Sequence, residues 1–505
     1  MSQIRKQSIL SSIIVYIGFA LGFFNTYLFT KEGGFSQSEY GLTGIFIAVA
    51  NIICSFATFG MGAYITKFYP YYNDNLSKKK NDILTWALTI SLIGFCFVVV
   101  LGLMFKDTVI RKYSQNSPQF VQYYYLIFPL GLGLTLYTIF EAYAWQLKES
   151  VITSLFREVI FRLFTTILIF LFFAKITTPF NTFIHIYSFT YIGIAAGLFI
   201  YLFIKGQISF TFNTSIVTKK FFRKIVVFVS YIFGGLIVYN ISQVFDSILL
   251  GSVSKEGLAA VAVFTLGQNI ASVVQAPQRG IISASFAALS QAWKDKDMAK
   301  INRIYHRSSI NQLIFAIGLF LLIWLNFTDG IHTFHFQKNY SQARWVFFFI
   351  GLMRIIDMGT GVNAQIIGTS TLWRFELFTG IILVALTLPL NYFLTKYYFG
   401  TLGPAIANLI SFTVYNAIRY WFLLKKFKLQ PFDMKTLYTL FLGAGCYYCC
   451  YLLFNNYTGF GWIVIRSITF CLLFIPGTLL LKLSPDIIPV WQTTLKRLRL
   501  KKVND

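Results

Sequence analysis

The sequence predicts an all-α polytopic membrane protein, and three observations carry that reading. Of its 505 residues, 56% are hydrophobic and only 12% charged, about half the charged share of a soluble globule; the mean hydropathy is +0.64. Apolar runs of about twenty residues recur from end to end, each long enough to cross about 30 Å of hydrocarbon. The alternation in ten-residue segments that marks a transmembrane β-barrel is missing.

Fourteen transmembrane helices are expected, at 8–29, 40–65, 82–105, 120–145, 151–174, 180–204, 224–250, 257–290, 309–328, 344–368, 374–395, 401–424, 435–455 and 460–482. A basic start (Arg5, Lys6) leads into the first, which is longer than a secretory h-region and has no small-residue cleavage site before KEGG. The second ends at GMGAY (60–64) and a basic loop. The fourth and fifth form a hairpin carrying Glu141, Arg157, Glu158 and Arg162, read as a structural ion-pair cluster. The seventh carries Asn240, Gln243, Asp246 and Ser247, the eighth the stretch SVVQAPQRGIISASF (272–286), and the tenth Arg354 and Asp357. Arg419 in the twelfth and Arg466 in the fourteenth are long enough to snorkel to an interface. Cys446, Cys449 and Cys450 share a face of the thirteenth and read as inert buried thiols, since neither a histidine nor an acid is near them in sequence.

An even number of spans puts both termini on one side. Of the 43 Lys and Arg residues, 28 fall on the side of the termini, 9 on the opposite side, and six (Arg157, Arg162, Arg279, Arg354, Arg419, Arg466) within spans. That excess places both termini in the cytoplasm. The same distribution explains the net charge of +25 as membrane orientation rather than as a nucleic-acid surface. No loop is long enough to fold as a catalytic domain, and no G-x-x-x-x-G-K-[ST] is present, so neither an enzyme nor an ATP-driven pump is expected. His332 and His335 in DGIHTFHFQ offer at most two ligands to a metal.

The halves repeat. YIGFALGFFN (16–25) matches YIFGGLIVYN (231–240), SEYGL (38–42) matches SKEGL (254–258), SKKKNDI (77–83) matches DKDMAKI (295–301), and SFT recurs at 188–190 and 411–413, at offsets drifting from 215 to 223. A six-helix repeat unit gives two lobes of the same orientation: an N-lobe at 1–210, a C-lobe at 211–430, and spans 13 and 14 with a basic tail at 431–505.

Polar faces run along several spans. At 100° per residue, Gln268, Ser272, Gln275 and Arg279 fall on one stripe about 60° wide, with Asn269 beside it. Hydrogen bonding between helices accounts for one or two such residues. It does not account for an arginine, whose insertion costs about 2.5–3.5 kcal/mol at a helix centre; a cavity-facing stripe does. Pro277 removes a backbone donor and is expected to kink the helix, as a hinge or as a static bend. On span 10, Arg354 and Asp357 (i, i+3) read either as a self-satisfied ion pair or as a cation held by a carboxylate able to exchange a proton or sodium. Asp246 is the other such carboxylate, near Asn240 and Gln243. In the first lobe, Asn51 and Ser55 make a neutral stripe, and Asn25 is the one strong polar group of span 1. Lobe one is thus polar and neutral, lobe two polar and cationic.

On the repeat, the two extra C-terminal helices, GMGAYITKFYP (60–70), and EAYAWQLKES…FREVIFRLFTTILI answered by NAQIIGTSTLWRFELFTGIILV, the chain resembles the multidrug/oligosaccharidyl-lipid/polysaccharide exporter superfamily, most of all its Wzx-type polysaccharide flippases. That resemblance implies a flippase of the bacterial inner membrane, in O-antigen or other lipopolysaccharide-type pathways. Its substrate would be an undecaprenyl-pyrophosphate-linked oligosaccharide, moved from the cytoplasmic to the periplasmic leaflet by alternating access. It implies membrane lipids, glycosyltransferases and a polysaccharide polymerase as partners, and no cofactor beyond a coupling H+ or Na+. Arg279 and Arg354 would then meet the pyrophosphate or acidic sugars, and Asn and Gln side chains the hydroxyls. The alternatives are a cation-coupled multidrug exporter of the same superfamily, for which twelve spans and a pocket with no required cation are expected, and a lipid II flippase, for which cations in both lobes are expected.

Overall fold

Helix is the only repeating structure among the described residues, as the backbone's need to satisfy itself in hydrocarbon demands. The computed structural model describes residues 3–174 and 180–486, with backbone alone at 3–13, 238, 239, 243, 279, 280, 283, 284, 286 and 287. Two units pack internally, Met1–Ala262 and Val263–Asp505.

The first unit contains α1 (Gln3–Thr30), α2 (Gln37–Ala57), α3 (Met61–Asn75), α4 (Ile83–Met104), the short α5 (Lys106–Tyr113) and α6 (Pro118–Gln122), α7 (Ile127–Gln146), α8 (Ser150–Ser154), α9 (Phe161–Phe173), α10 (Phe180–Ser188), α11 (Thr190–Ile204) and α12 (Ile216–Val253). A capping box starts α2: Ser36 and Glu39 each accept the other's backbone N–H, which satisfies two of the orphan donors of a helix start. A π-helical segment at Leu155–Ile160 joins α8 to α9. The core brings Tyr72, Ile83, Tyr137, Ile139 and Leu198 together from α3, α4, α7 and α11.

α12 packs on α2 and α3 within this unit, and a buried carboxylate fixes its start. Asp82 Oδ2 accepts from the Ser215 backbone N–H and from Thr218 Oγ1, both at 2.8 Å. A chain of hydroxyls, Thr218 to Tyr72 and Tyr72 to Tyr64, each step 2.7 Å, carries the network onto α3. An anion at a helix N-terminus also meets the positive end of its dipole. In the turn between α7 and α8, burial raises the Glu149 carboxyl, but hydrogen bonds from Lys205 and Tyr201 outweigh it and hold the group below its ordinary range.

α13 (Leu258–Lys294) crosses the boundary between the units and runs as one helix through Pro277. The second unit continues with α14 (Met298–Thr333), α15 (Ala343–Gly359), α16 (Asn363–Thr369), α17 (Arg374–Phe393), α18 (Gly403–Phe427), α19 (Met434–Phe454) and α20 (Phe460–Leu480). Ile310, Ile317, Cys446, Cys450, Phe470 and Phe474 form a core where α14 meets the α19–α20 hairpin. Cys446 and Cys450 are buried as expected, whereas Cys449 on the next position is exposed.

That hairpin is held by an ion pair that the snorkelling reading missed. Arg466 is 5% exposed and Asp329 8%; Nη2 lies 3.4 Å from Asp329 Oδ2. The same guanidinium donates to the Tyr457 carbonyl (2.8 Å) and to Asn326 Oδ1 (3.3 Å), and Asp329 accepts the Gly459 N–H and the Thr333 hydroxyl at 3.0 Å each. Arg419 is likewise buried, at 3% exposure, so both guanidiniums are held inside the protein by partners of their own.

Among the described residues, ten helices are long and apolar enough to cross a membrane, eleven if the bent pair Lys338–Gly359 and Asn363–Thr369 counts as one span. The chain is a multi-pass membrane protein. Replacing Arg466 with leucine strands the Asp329 carboxylate, a change that costs about 3–5 kcal/mol in buried pairs. The unfolding temperature in detergent should drop sharply, and Asp329→Leu/Arg466→Leu should recover part of the loss; equal midpoints for wild type and Arg466→Leu would refute the anchor.

Candidate functional site

In the second unit the polar residues of α13, α15 and α18 converge on one carboxylate. Gly361 makes this possible by ending α15: its φ of +66° suits glycine, and a Cβ there would sit 2.8 Å from Ser308 Oγ. The chain bends by 47° between α15 and α16, which brings Asp357 and Thr360 on one arm and Asn363 on the other against Asn416 of α18.

Each oxygen of Asp357 accepts from an amide. Gln278 Nε2 donates to Oδ2 at 3.0 Å, and Asn416 Nδ2 to Oδ1 at 3.2 Å. Gln275 Nε2 in turn donates to Gln278 Oε1 at 2.8 Å. On the far side, Asn416 Oδ1 accepts from Asn363 Nδ2 (2.9 Å) and Thr360 Oγ1 (3.0 Å). Gln278, Asn363 and Asn416 are buried. Amides supply hydrogen bonds to the carboxyl oxygens and bring no charge of their own. One helix turn from Asn416, Arg419 pairs with Glu376 of α17 and lies over the Tyr415 ring at 3.7 Å.

The remaining expected residues of this half lie around the network. Gln268, Asn269 and Ser272 are half-buried on α13, with Ser272 Oγ donating to the Asn269 carbonyl at 2.6 Å. Pro277 is half-buried, as is Arg354 on α15. The side chain of Arg279 lies outside the described residues, as does that of Gln243. Thr360, Asn363, Glu376 and Asn416 were not singled out from sequence. Asn416 and Arg419, spaced i, i+3 in an apolar helix, were the available signal.

In the first unit, polar groups close on one another. α1 presents Gly18 and Gly22 to Arg162 of α9. A Cβ on Gly18 would stand 2.5 Å from Arg162 Nη1 and 2.7 Å from the Glu158 carbonyl oxygen, so only glycine admits the guanidinium. Arg162 pairs with Glu158 at 2.6 Å, and Arg157 with Glu141 at 3.1 Å, the cluster expected of this hairpin. Asn25 belongs to the same contact: its Nδ2 donates to the Arg162 carbonyl (2.8 Å) and its Oδ1 accepts from Thr166 (2.6 Å). Asn51 donates back to the Ile47 carbonyl and Ser55 to that of Asn51. Asn240 on α12 is half-buried and donates to the Leu236 carbonyl, while Asp246 is buried at 4% exposure. Among the described residues, no group of three or more His, Cys, Asp or Glu side chains could hold a metal.

This architecture has solved counterparts. The lipid II flippase MurJ in an inward closed conformation superposes with a TM-score of 0.73 at 17% identity, covering 93% of this chain and 98% of that one. A multidrug resistance MATE family transporter of the MOP superfamily, inward-facing, gives 0.64 at 14% identity, covering 83% and 94%. A MOP superfamily transporter from Pyrococcus furiosus gives 0.56 at 14%, covering 83% and 96%. A comparison with curated proteins finds no match. The fold is that of the MOP-superfamily transporters, multi-pass helical proteins of membrane transport. The chain belongs to the polysaccharide biosynthesis protein family, whose model matches residues 4–293.

If Asp357 is the hub of the network, Asp357→Ala strands two amide donors at about 1–3 kcal/mol each, while Asp357→Asn keeps an acceptor for one of them. Thermal midpoints in detergent should fall in the order wild type, Asp357→Asn, Asp357→Ala, and an unshifted Asp357→Ala would refute the assignment.

Proposed function

We propose that this protein flips an undecaprenyl-pyrophosphate-linked oligosaccharide repeat unit from the cytoplasmic to the periplasmic leaflet of a bacterial inner membrane by alternating access. The observation that carries the reading is the polar network on α13, α15 and α18, set in a chain of the polysaccharide biosynthesis family. Each hydroxyl taken into hydrocarbon without a partner costs about 2–7 kcal/mol, and a pyrophosphate far more. Half-buried amides and hydroxyls along α13 replace that hydration for the sugars. Arg354, with Arg279 on α13, meets the pyrophosphate, whose oxygens suit the two-pronged guanidinium.

Coupling to H+ or Na+ runs through Asp357, with Asp246 as the second carboxylate. A proton on Asp357 turns one acceptor oxygen into a donor, and an amide from Gln278 or Asn416 then loses its partner. Neutralising the carboxylate therefore loosens α15 from α13 or α18, the kind of local two-state element that alternating access requires.

The full topology belongs to the same proposal: fourteen spans, with both termini cytoplasmic. Two facts support the higher count. The 54-residue stretch Arg374–Phe427 counts as one apolar span although it holds both α17 and α18, and the apolar part of α1, Ile14–Thr30, lies outside the ten. Glycosyltransferases that build the unit and a polymerase that consumes it are the partners this places on either side of the membrane.

The test is Arg354→Gln and Arg279→Gln, with Arg→Lys at both sites, scored by lipid-linked oligosaccharide accumulating on the cytoplasmic leaflet. Each Gln variant should lower translocation at least about tenfold, the equivalent of about 1.4 kcal/mol, with the Lys variants intermediate. Normal surface glycan at normal protein levels in both Gln variants defeats the role given to the arginines.

A further inference from the structure

Where α14 approaches α15, beside the 3-10 turn Lys338–Gln342, a cleft of about 270 Å³ opens among Thr328, His332, Ser341, Gln342, Arg344 and Trp345. It lies apart from the network on Asp357, and its histidine belongs to the DGIHTFHFQ stretch, which the transport reading leaves without a role. We propose that this cleft is a saccharide subsite that takes one acidic pyranose, a hexuronate.

Three features point to that ligand. The first is a fixed aromatic plane. Trp345 is 48% exposed, yet its indole is held edge-on by Trp324 at 5.7 Å and by Phe348 at 5.8 Å. An exposed, immobilised indole gives the C–H face of a sugar ring a large contact at small entropic cost.

The second is a cation with no counter-ion. Arg344 stacks over Trp324 at 4.3 Å, and its Nε is buried with no hydrogen-bond partner. Among the described residues no acid pairs with it, and Asp329 on the same stretch of α14 is already committed to Arg466, Thr333 and Gly459. A guanidinium fixed by stacking and left with free donors is suited to a carboxylate, which it can grip with two parallel hydrogen bonds.

The third is size and rim chemistry. The volume falls below the ~300–1,000 Å³ of pockets that enclose drug-sized ligands, which admits one ring and not a chain. His332, Ser341 and Gln342 are exposed at the rim, where their donors and acceptors can serve ring hydroxyls. With no acid among its lining residues, the cleft does not suit a metal ion. In the proposed topology this end of the unit lies on the side opposite the cytoplasm. A role in receiving an acidic glycan there rests on the proposed function; the binding itself does not.

The test is direct. The full-length protein, in nanodiscs of phosphatidylethanolamine and phosphatidylglycerol, is titrated with sodium glucuronate, glucose and sodium acetate while tryptophan fluorescence is followed. Glucuronate should give a saturable change, with a midpoint at least about tenfold below that of glucose, and acetate none at matched ionic strength. Arg344→Gln should abolish the response and Arg344→Lys retain it in weakened form, each with its unfolding temperature measured alongside. Trp345→Phe should remove most of the signal. The subsite is overturned if glucuronate gives no saturable change, if acetate matches glucuronate so that the cleft holds anions only, or if the Arg344→Gln response equals that of wild type. Glucuronate binding with lipid-linked oligosaccharide transport absent would count against the transport reading alone; transport with binding absent would remove this subsite alone.

Discussion

A polar side chain on a membrane helix has no water to fall back on, so its partner must come from another turn or another helix. Most of the described architecture follows from how that requirement is met. Lipid tails are as apolar as leucine, and the pull that packs soluble helices is weak between spans. Shape and polar pairing do the work instead. Gly18 lets the Arg162 guanidinium lie against α1, and Arg466 ties α19 and α20 to α14 through one carboxylate and four backbone or amide oxygens. Asp82 does the same for the start of α12. Each is a charge used to fix a helix at a particular depth and rotation, which apolar contact alone specifies poorly.

The fold class was legible because hydropathy and loop charge act over twenty residues at a time and need no knowledge of neighbours. Close pairs were legible too: Glu158 and Arg162 sit i, i+4 on one helix face, and the structure pairs them. Long-range partners were not. Arg419 and Arg466 carry nothing in their own helices that distinguishes a buried guanidinium from a snorkelling one; their acids lie 43 and 137 positions earlier in the chain. Asp357 stood out as a lone carboxylate in an apolar run, but Asn416, 59 positions on, did not.

The helical wheel of α13 misdirected attention by a small angle. Grouping Gln268, Ser272, Gln275 and Arg279 on one stripe left Gln278 about 60° away from Gln275 at 100° per residue. Gln278 is the residue that reaches α15, with Gln275 bonded to it. Extended glutamine side chains span that angle readily, so the face a helix uses is wider than the arc its Cβ atoms define. A stripe of long polar residues therefore locates a face and leaves open which member makes the contact.

Charges within the helices separate into two kinds by the chemistry of their partners. Glu141 with Arg157, Glu158 with Arg162, Glu376 with Arg419 and Asp329 with Arg466 are acid–base pairs. In such a pair, removing one charge strands the other, so the pair holds its helices in position. Asp357 differs, because its hydrogen bonds come from amides that stay neutral in every state. That division separates charges locked in pairs from a carboxylate held by neutral groups. Mutually locked charges fix the scaffold, and an amide-held carboxylate sits at the joint where α13, α15 and α18 meet.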